Sequence, residues 1–392
     1  DVTAGYSWQS FRWQGNSYSN INSGEYEGFQ AYPLSKYRND LALVSFFGRV
    51  NYTFMGKYLA TVTVRGDGTS RFSKDHRWGT FPSVALGWRI IDEDFMEPTR
   101  SILSDLKLRL GWGVTGQQDI GDNFFPYLPI YTVGNNGNAT PNTTAYPSLR
   151  PGSNGFINVI KPNGYNSDLK WEETTTWNAG LDFAFLNNRI TGSFDFYKRK
   201  TKDLLTWATV AAGSNLTNAM NTNIGDLENT GIEFNISARP VVTQDFTWTT
   251  DFNISWNKNK ITKLIAGDDP DYYIATGGIS AGTGANIQAH KVGHSAYSFY
   301  VYQQVYDKNG DPIEGAYVDR NGDGQITEAD KYMYHSRDPK VVFSWNNTFN
   351  YKNWDFGIVL RANIGNWVYN DFEASNTSIS STASAPLSNL MS

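Results

Sequence analysis

The chain has 392 residues, of which 40% are hydrophobic, 15% aromatic and 18% charged, and its formal net charge is −5. This apolar fraction excludes a disordered chain, and the mild charge gives no reason to expect a nucleic-acid partner. Because the chain contains no cysteine, a disulfide scaffold and a thiolate metal site are also excluded.

Alternation of apolar and polar residues recurs along the chain and predicts β-strands with one apolar and one polar face. In residues 246–256 (FTWTTDFNISW), for example, Trp248 and Phe252 point to one side and Thr249 and Asp251 to the other. About twelve strands are predicted in this way, at residues 2–9, 46–54, 58–65, 82–90, 106–114, 177–185, 189–197, 232–239, 246–256, 297–306, 341–351 and 354–363.

The charged residues within these strands fall on the polar side. They include Arg49, Arg65, Lys107, Arg109, Asp182, Asp195, Glu233, Arg239, Asp251, Asp355 and Arg361. A basic residue near the middle of a lipid-facing surface costs about 2–4 kcal/mol, so a transmembrane β-barrel is expected to segregate its charges in this way. A soluble β-protein shows the same segregation where its polar face meets water, so the pattern leaves both architectures open.

The lengths of the connections favour the barrel. The short ones are residues 55–57, 186–188, 241–245 and 352–353, and the long ones are 66–81, 115–176, 200–230, 258–296 and 307–340. Short turns at one end and long loops at the other are typical of outer-membrane barrels. No run reaches the roughly 18 apolar residues of a membrane-spanning helix, which excludes a helical membrane protein. The predicted fold class is therefore all-β, an antiparallel transmembrane β-barrel.

Several segments resemble one family of such barrels. Residues 45–72 (SFFGRVNYTFMGKYLATVTVRGDGTSRF), 106–120 (LKLRLGWGVTGQQDI) and 223–234 (NIGDLENTGIEF) are similar to the C-terminal barrel of SusC/RagA-type TonB-dependent outer-membrane transporters. Residues 292–302 (VGHSAYSFYVY) resemble the GxPxGxFYGY segment of that family, although His294, Ser295, Ala296 and Val301 stand where Pro and Gly are usual. The resemblance runs in the same order through most of the chain.

This resemblance implies that residues 1–392 form about half of a TonB-dependent receptor barrel of 22 strands, with the plug and TonB box outside this chain. The sequence opens directly in a strand-like stretch at residues 2–9 and stops in a Ser/Thr/Ala-rich stretch at residues 376–392, so we expect a fragment of a longer protein. The implied function is TonB-dependent import of oligosaccharides or peptides across the outer membrane, with a SusD-like surface lipoprotein as partner and no catalysis. The alternatives are a siderophore or vitamin receptor and, from another class, a secreted carbohydrate-binding or glycoside-cleaving β-protein.

One motif in the predicted extracellular loop 307–340 points to a metal. The sequence DRNGDGQITEAD begins at Asp319 and matches an EF-hand-like calcium loop. The spacing predicts ligands at positions 1, 3, 5, 7 and 12 of the loop, which are Asp319, Asn321, Asp323, the Gln325 carbonyl and Asp330. Position 12 is usually a bidentate Glu, so the shorter Asp330 predicts a weaker or adjusted Ca²⁺ site. The alternative is an ordinary cluster of Asn-Gly and Asp-Gly turns.

Other titratable clusters do not predict a site. Glu172 and Glu173 could be read as paired carboxylates for glycoside cleavage, but adjacent residues on a strand would point to opposite faces, and two separated acids that bracket a substrate cannot be shown from sequence. The alternative is that they are solvated acids of the long connection 115–176. His290 and His294 have a spacing that binds zinc on a helix, but Gly293 and the strand-like residues around them argue against a helix.

Overall fold

The computed structural model describes residues 1–18, 33–132, 148–149, 156–157, 161–211, 213–264, 271–279 and 286–372. Nearly all of its regular structure is β. The strands are β1 (Val2–Tyr18), β2 (Pro33–Phe54), β3 (Tyr58–Thr69), β4 (Trp78–Arg89), β5 (Leu103–Gln117), β6 (Tyr131–Thr132), β7 (Ser148–Leu149), β8 (Phe156–Ile157), β9 (Lys161–Pro162), β10 (Glu172–Phe185), β11 (Ile190–Lys202), β12 (Leu205–Thr209), β13 (Ala219–Asn223), β14 (Asp226–Val242), β15 (Phe246–Lys263), β16 (Tyr273–Gly278), β17 (Asn286–Lys291), β18 (Ser298–Val301), β19 (Gln304–Tyr306), β20 (Pro312–Tyr317), β21 (Tyr332–Ser336), β22 (Val341–Tyr351) and β23 (Trp354–Ile364).

Three short 3₁₀ helices complete the regular structure of the described residues, at Ile90–Asp92, Asp94–Thr99 and Glu328–Asp330. No helix in the described ranges is long and apolar enough to cross a membrane.

Eleven of the strands form one continuous antiparallel sheet, which we call the wall, in the order β1-β2-β3-β4-β5-β10-β11-β14-β15-β22-β23. Each strand of the wall pairs with its neighbour in the sequence of wall strands, and the sheet is open rather than closed on itself. The remaining strands form small sheets in the connections, of which the largest is β16-β17-β18-β21. The wall is thus an up-and-down array, as the prediction of part of a barrel requires.

Tight turns join the wall strands at one end. Phe54 pairs with Tyr58 across one of them, and Met55 and Gly56 in that turn both have positive φ, of 51° and 70°. Two successive positive φ values match the twist of the flanking strands, which is why such turns close hairpins. The predicted short turns are confirmed, but residues 90–102, at the same end, form a longer connection that contains two of the 3₁₀ helices.

The two faces of the wall differ as predicted, and the apolar face is the exposed one. Phe46 is 54% exposed and Val62 is 45% exposed. The same holds for Tyr6, Val50, Tyr52, Val64, Leu86, Leu110, Trp112, Trp177, Phe194, Phe196, Ile232, Trp256, Trp345, Phe356, Ile358 and Leu360. A soluble sandwich hides this face inside its core, so an exposed apolar face is what a surface in contact with lipid presents.

The two clusters of buried apolar residues lie at the long-loop end instead. One core cluster consists of Phe72, Phe81, Leu169 and Trp171, and a second of Ala208, Ile224, Ile261 and Leu264. These residues come from strand ends and from the connections between strands, so they hold the long loops against the wall and against each other.

The structure corrects two details of the predicted strands. Residues 297–306 are not a wall strand, because Ser298–Val301 pairs with β17 and β21 in a loop sheet and Gln304–Tyr306 pairs with β20. Several wall strands also extend further than predicted at the long-loop end, as in Asp226–Val242 and Phe246–Lys263. Beyond the apolar band both faces of a strand meet water, so the alternation that reveals a strand in the sequence disappears while the backbone pairing continues.

Candidate functional site

The polar face of the wall carries a charged network centred on Arg109. Arg109 donates from Nε to Asp182 Oδ2 and from Nη2 to Asp182 Oδ1, both at 2.8 Å. Its Nη2 atom also lies 2.8 Å from Asp195 Oδ1 on the next strand. One guanidinium therefore joins strands β5, β10 and β11, and the bidentate geometry with Asp182 makes this a strong charge-assisted contact.

A glycine makes this reach across two strands possible. Gly180 pairs with Arg109 on one side and with Asp195 on the other, so it lies directly between the two charged side chains. A Cβ atom built on Gly180 would lie 2.7 Å from Arg109 Cζ and would also collide with Asp195. The absence of a side chain at this position thus leaves the space that the ion pair occupies.

A cavity of about 450 Å³ opens on the same polar face near the long-loop end of strands β1 to β5. Its polar wall includes Gln9, Ser45 and Arg65, and its apolar wall includes Phe81 and Trp171. Arg65 donates from Nη2 to the Ser45 hydroxyl at 3.0 Å and from Nε to Asp67 Oδ1 at 2.8 Å, which places an ion pair at the cavity surface. A small number of oriented polar groups beside aromatic surface is the usual lining of a pocket for a small polar ligand.

The aromatic wall of this cavity is held from behind by the first core cluster. Trp171 makes edge-on contacts with Phe72 and Phe81, at ring-centroid distances of 5.8 and 5.3 Å. Its indole Nε1 donates to the Arg77 carbonyl at 3.1 Å. Because the indole satisfies its polar atom and packs on two rings, it is a fixed surface rather than a mobile side chain.

The predicted calcium motif forms a compact loop between β20 and β21. Asp319 accepts hydrogen bonds from the backbone amides of Gly322 and Gly324, at 2.7 and 2.8 Å. Asp323 accepts from the Gln325 amide at 2.8 Å and from the Asn321 side-chain amide at 2.9 Å. The motif therefore winds its alternate acidic and amide side chains around its own backbone, as a cation-binding loop must.

Asp330, the last predicted ligand, closes this loop. It is fully buried, and its carboxylate accepts from the Arg320 amide at 2.8 Å and the Thr327 amide at 2.7 Å. Hydrogen bonds to the charged form, first of all the one from Thr327, hold the pKa of Asp330 below its ordinary value of 3.8.

The oxygen donors of the motif are of the hard type that Ca²⁺ prefers, so the chemistry of the donor set fits the ion. Within the part of the chain that the structure describes, however, no three His, Asp or Glu side chains converge closely enough to hold a metal. Asp319, Asp323 and Asp330 are instead turned toward backbone amides of the loop.

The weaker candidates have structural roles in the described residues. Glu172 accepts from the Leu205 amide at 3.0 Å. His290 packs edge-on against Tyr297 at 4.5 Å, and it lies in strand β17 rather than in a helix.

Sequence reasoning missed the cavity altogether. Most of its residues come from the five strands β1 to β5, and these meet only because the register brings the polar sides of the strands together. The available signal was that Gln9, Ser45 and Arg65 all lie on the polar side near the long-loop ends of neighbouring strands.

An open wall with a lipid-type outer face, a polar inner face and loop asymmetry defines part of a transmembrane β-barrel. Residues 1–366 match the family described as TonB dependent receptor-like, beta-barrel. The chain belongs to this family, whose members are outer-membrane proteins, and it is therefore part of an outer-membrane barrel. This excludes the soluble alternative.

Individual relatives support the same family assignment. The chain is 53% identical to the TonB-dependent receptor SusC of Bacteroides thetaiotaomicron over 87% of its own length and 33% of the relative. It is 34% identical to the TonB-dependent receptor P3 of Formosa agariphila over 86% of its length and 33% of the relative. The chain thus spans about a third of the length of these curated relatives, and the resemblance to the SusC/RagA type is confirmed.

A solved structure confirms the fold. The RagAB peptide transporter superimposes with a TM-score of 0.72 at 22% identity, covering 95% of this chain and 40% of that one. With the long loops taken as extracellular, as in other outer-membrane barrels, the polar face of the wall lines the lumen and the cavity lies near its outer mouth.

Proposed function

We propose that this chain is part of the lumen wall of a TonB-dependent importer of oligosaccharides or peptides that works with a SusD-like lipoprotein. The observation that carries the proposal is the 53% identity to a TonB-dependent receptor named SusC, together with a matching apolar outer face and polar lumen. In this proposal the contact with TonB, the lipoprotein lid and the plug domain are features of the whole protein. The wall itself supplies an oriented polar surface.

The lumenal cavity supports a sugar-like substrate. Hydroxyl-rich ligands are bound by fixed donors and acceptors beside a flat aromatic surface, because each ring face of a sugar is apolar and each edge is polar. Arg65, Ser45 and Gln9 provide the polar groups and the Phe81–Trp171 pair provides the rigid apolar wall. A flexible peptide can use the same groups, so the two substrate classes are separated by experiment.

The test uses the full-length protein in cells that lack its gene. Uptake of labelled oligosaccharides, peptides and ferric siderophores is measured with the wild-type gene, with and without an intact TonB. We expect TonB-dependent uptake of an oligosaccharide or a peptide. Uptake of ferric siderophores alone would refute the proposal in favour of the siderophore-receptor alternative.

A matched pair of variants tests the cavity. Arg65→Gln removes a charged donor from the cavity, and the loss of one such hydrogen bond is expected to reduce uptake at low substrate concentration by roughly tenfold. Arg361→Gln removes the same charge from the same face at an exposed position far from the cavity, and uptake is expected to stay unchanged. Equal effects of the two changes would count against a substrate role for the cavity.

We further propose that Asp319, Asn321, Asp323, the Gln325 carbonyl and Asp330 hold a structural Ca²⁺ that orders the loop 307–340. The motif spacing and the hard oxygen donors support this, and Asp330, the last residue of the motif, already accepts a hydrogen bond from Arg320 near its beginning. When bound, the ion would link the acidic side chains to one another, which in this loop otherwise accept hydrogen bonds from its backbone amides.

The calcium proposal is tested by proteolysis of the full-length protein with Ca²⁺ and with a chelator. Calcium is expected to protect residues 307–340 in the wild type and to give no protection in Asp319→Ala plus Asp323→Ala. Asp307→Ala is the control, because Asp307 makes a similar turn by accepting from the Asn309 and Asp311 amides but lies outside the motif. Chelator-independent cleavage of the wild type would refute the site.

A further inference from the structure

Four lysines form a patch on the outer face of the wall near its extracellular end. The patch consists of Lys198 and Lys200 on β11 and Lys258 and Lys260 on β15. Lys198 and Lys258 both pair with Thr230, and Lys200 and Lys260 both pair with Glu228, on the strand that lies between them. The strand register therefore stacks the lysines in two rows, with about 10 Å between the two strands that carry them.

The patch lies directly above the lipid-facing surface. Two residues further toward the membrane, Phe196, Ile232 and Trp256 form the next row of the same face, and all three are exposed. Since two residues of a strand span about 7 Å, the lysine ammonium groups can reach the level of lipid headgroups while the aromatic row meets the acyl region.

The patch is only partly neutralised. Glu228 lies 3.6 Å from the ammonium groups of both Lys198 and Lys200, so one carboxylate is shared by two cations. Among the described residues, no acidic group lies within 4.0 Å of Lys258 or Lys260. The four lysines and Glu228 together leave a net charge of about +3 on an otherwise apolar surface.

A cavity of about 380 Å³ adjoins this patch. Lys258, Lys260 and Lys340 line it together with His294, and Asp338 is its acidic residue. Burial lowers the pKa of His294 below its ordinary value, and the nearby charges of Lys291 and Lys260 lower it further. The cavity thus has room for a headgroup and a positive potential at its wall.

We propose that the lysine patch and this cavity bind the phosphate groups of an anionic lipid in the outer leaflet. Lysine ammonium groups are compact donors suited to phosphate, and clusters of basic residues at a membrane surface select anionic headgroups. A lipid fits better than a soluble anion because the charged rows continue into the exposed row of Phe196, Ile232 and Trp256. A lipid can contact both surfaces at once, because its phosphates bind the lysines while its acyl chains pack on the row of Phe196, Ile232 and Trp256. The inference rests on the outer-membrane location and not on the transported substrate.

The experiment uses the full-length protein in nanodiscs of phosphatidylcholine that contain a small fraction of diphosphoryl lipid A. Native mass spectrometry counts the lipid A molecules that stay bound after release from the disc. We expect retention of lipid A over phosphatidylcholine, loss of retention at high salt, and no displacement by millimolar inorganic phosphate. Displacement by inorganic phosphate would show a soluble-anion site and overturn the proposal.

Variants separate a specific site from general surface charge. Changing Lys198, Lys200, Lys258 and Lys260 together to Gln is expected to lower lipid A retention more than tenfold, because each basic residue near a charged surface contributes roughly fivefold. The same four positions changed to Arg should retain it, which also shows that the positions tolerate substitution. A control that changes the exposed Lys74, Lys170, Lys308 and Lys352 to Gln removes equal charge elsewhere and should retain lipid A. Equal loss in the control, or full retention in the patch variant, would overturn the proposal.

Discussion

The outward face of the wall can be tested with one substitution, Val62→Arg. Val62 is exposed and pairs with Val50 on one side and Val84 on the other, so its neighbours on the same face are apolar. It lies four residues from Tyr58, which begins β3 at the short-turn end. Four residues of a strand tilted by about 40° rise roughly 10 Å, which places Val62 near the middle of an apolar band about 25 Å tall.

An arginine at this depth is expected to lower the free energy of unfolding by about 2–4 kcal/mol. The lost valine contacts add little because the side chain is already exposed. Ala85→Arg is the matched control, since Ala85 is exposed on the lumen face and pairs with Thr61, the residue before Val62. Surface substitutions that break no contact usually change stability by about 0.5 kcal/mol or less, and this is expected for Ala85→Arg.

The assay is equilibrium unfolding of the full-length barrel in phosphatidylcholine vesicles with guanidinium chloride, followed by tryptophan fluorescence. The difference between the two arginine variants measures the contribution of the lipid face, because both add the same side chain to the same strand pair. If Val62→Arg were as stable as Ala85→Arg, the outward face would not contact lipid and the assignment of the two faces would be wrong.

Three further changes test other parts of the structure. Gly180→Ala is expected to disrupt the lumenal ion pair between Arg109 and Asp195, at a cost of about 1–3 kcal/mol in the same unfolding assay, whereas no cost would show that the strands shift to make room. Leu169→Ala removes a fully buried side chain from the first core cluster and should cost about 2–5 kcal/mol, with faster hydrogen exchange in the loops around it but not in the wall. Glu93 accepts hydrogen bonds from Tyr58, Trp88 and Lys57, which lower its pKa from 4.5 to about 2, so its contribution to stability is complete above about pH 4.5 and is lost as the pH falls toward 2. Glu93→Gln should therefore flatten the dependence of Tm on pH in this window, and an unchanged slope would contradict the assignment.

The strands could be predicted from the sequence wherever lipid meets one side of them. Within the apolar band every second residue must be apolar, so segments such as residues 46–54 and 246–256 are visible as strands. Above the apolar band, strand β15 continues through Lys258 and Lys260. Both faces of the strand meet water there, so nothing requires apolar and polar residues to alternate. Residues 297–306 gave a false strand of the wall, because their aromatic residues pack within a loop sheet instead of facing lipid.

The sites were harder to predict from the sequence than the strands, because two of them are assembled from residues of different strands. The calcium motif is contiguous, so its ligands could be proposed from spacing alone. The lumenal cavity and the lysine patch are each assembled from neighbouring strands, and their members are far apart in the sequence. Lys200 and Lys260 face each other across Glu228 only because β11, β14 and β15 pair in one particular register.

The outward face also shows how polar groups are tolerated there. Thr250 and Asn347 pair directly across β15 and β22 on this face, and Asn347 is only 7% exposed. Trp345 donates from Nε1 to the Thr250 hydroxyl at 2.8 Å, and Trp248 donates from Nε1 to Asn347 Oδ1 at 3.1 Å. On a water-exposed surface neither group needs a protein donor, because water satisfies it. In lipid an unpaired polar group costs several kcal/mol, so the reciprocal donation by two tryptophans is the arrangement that a lipid-facing polar pair requires.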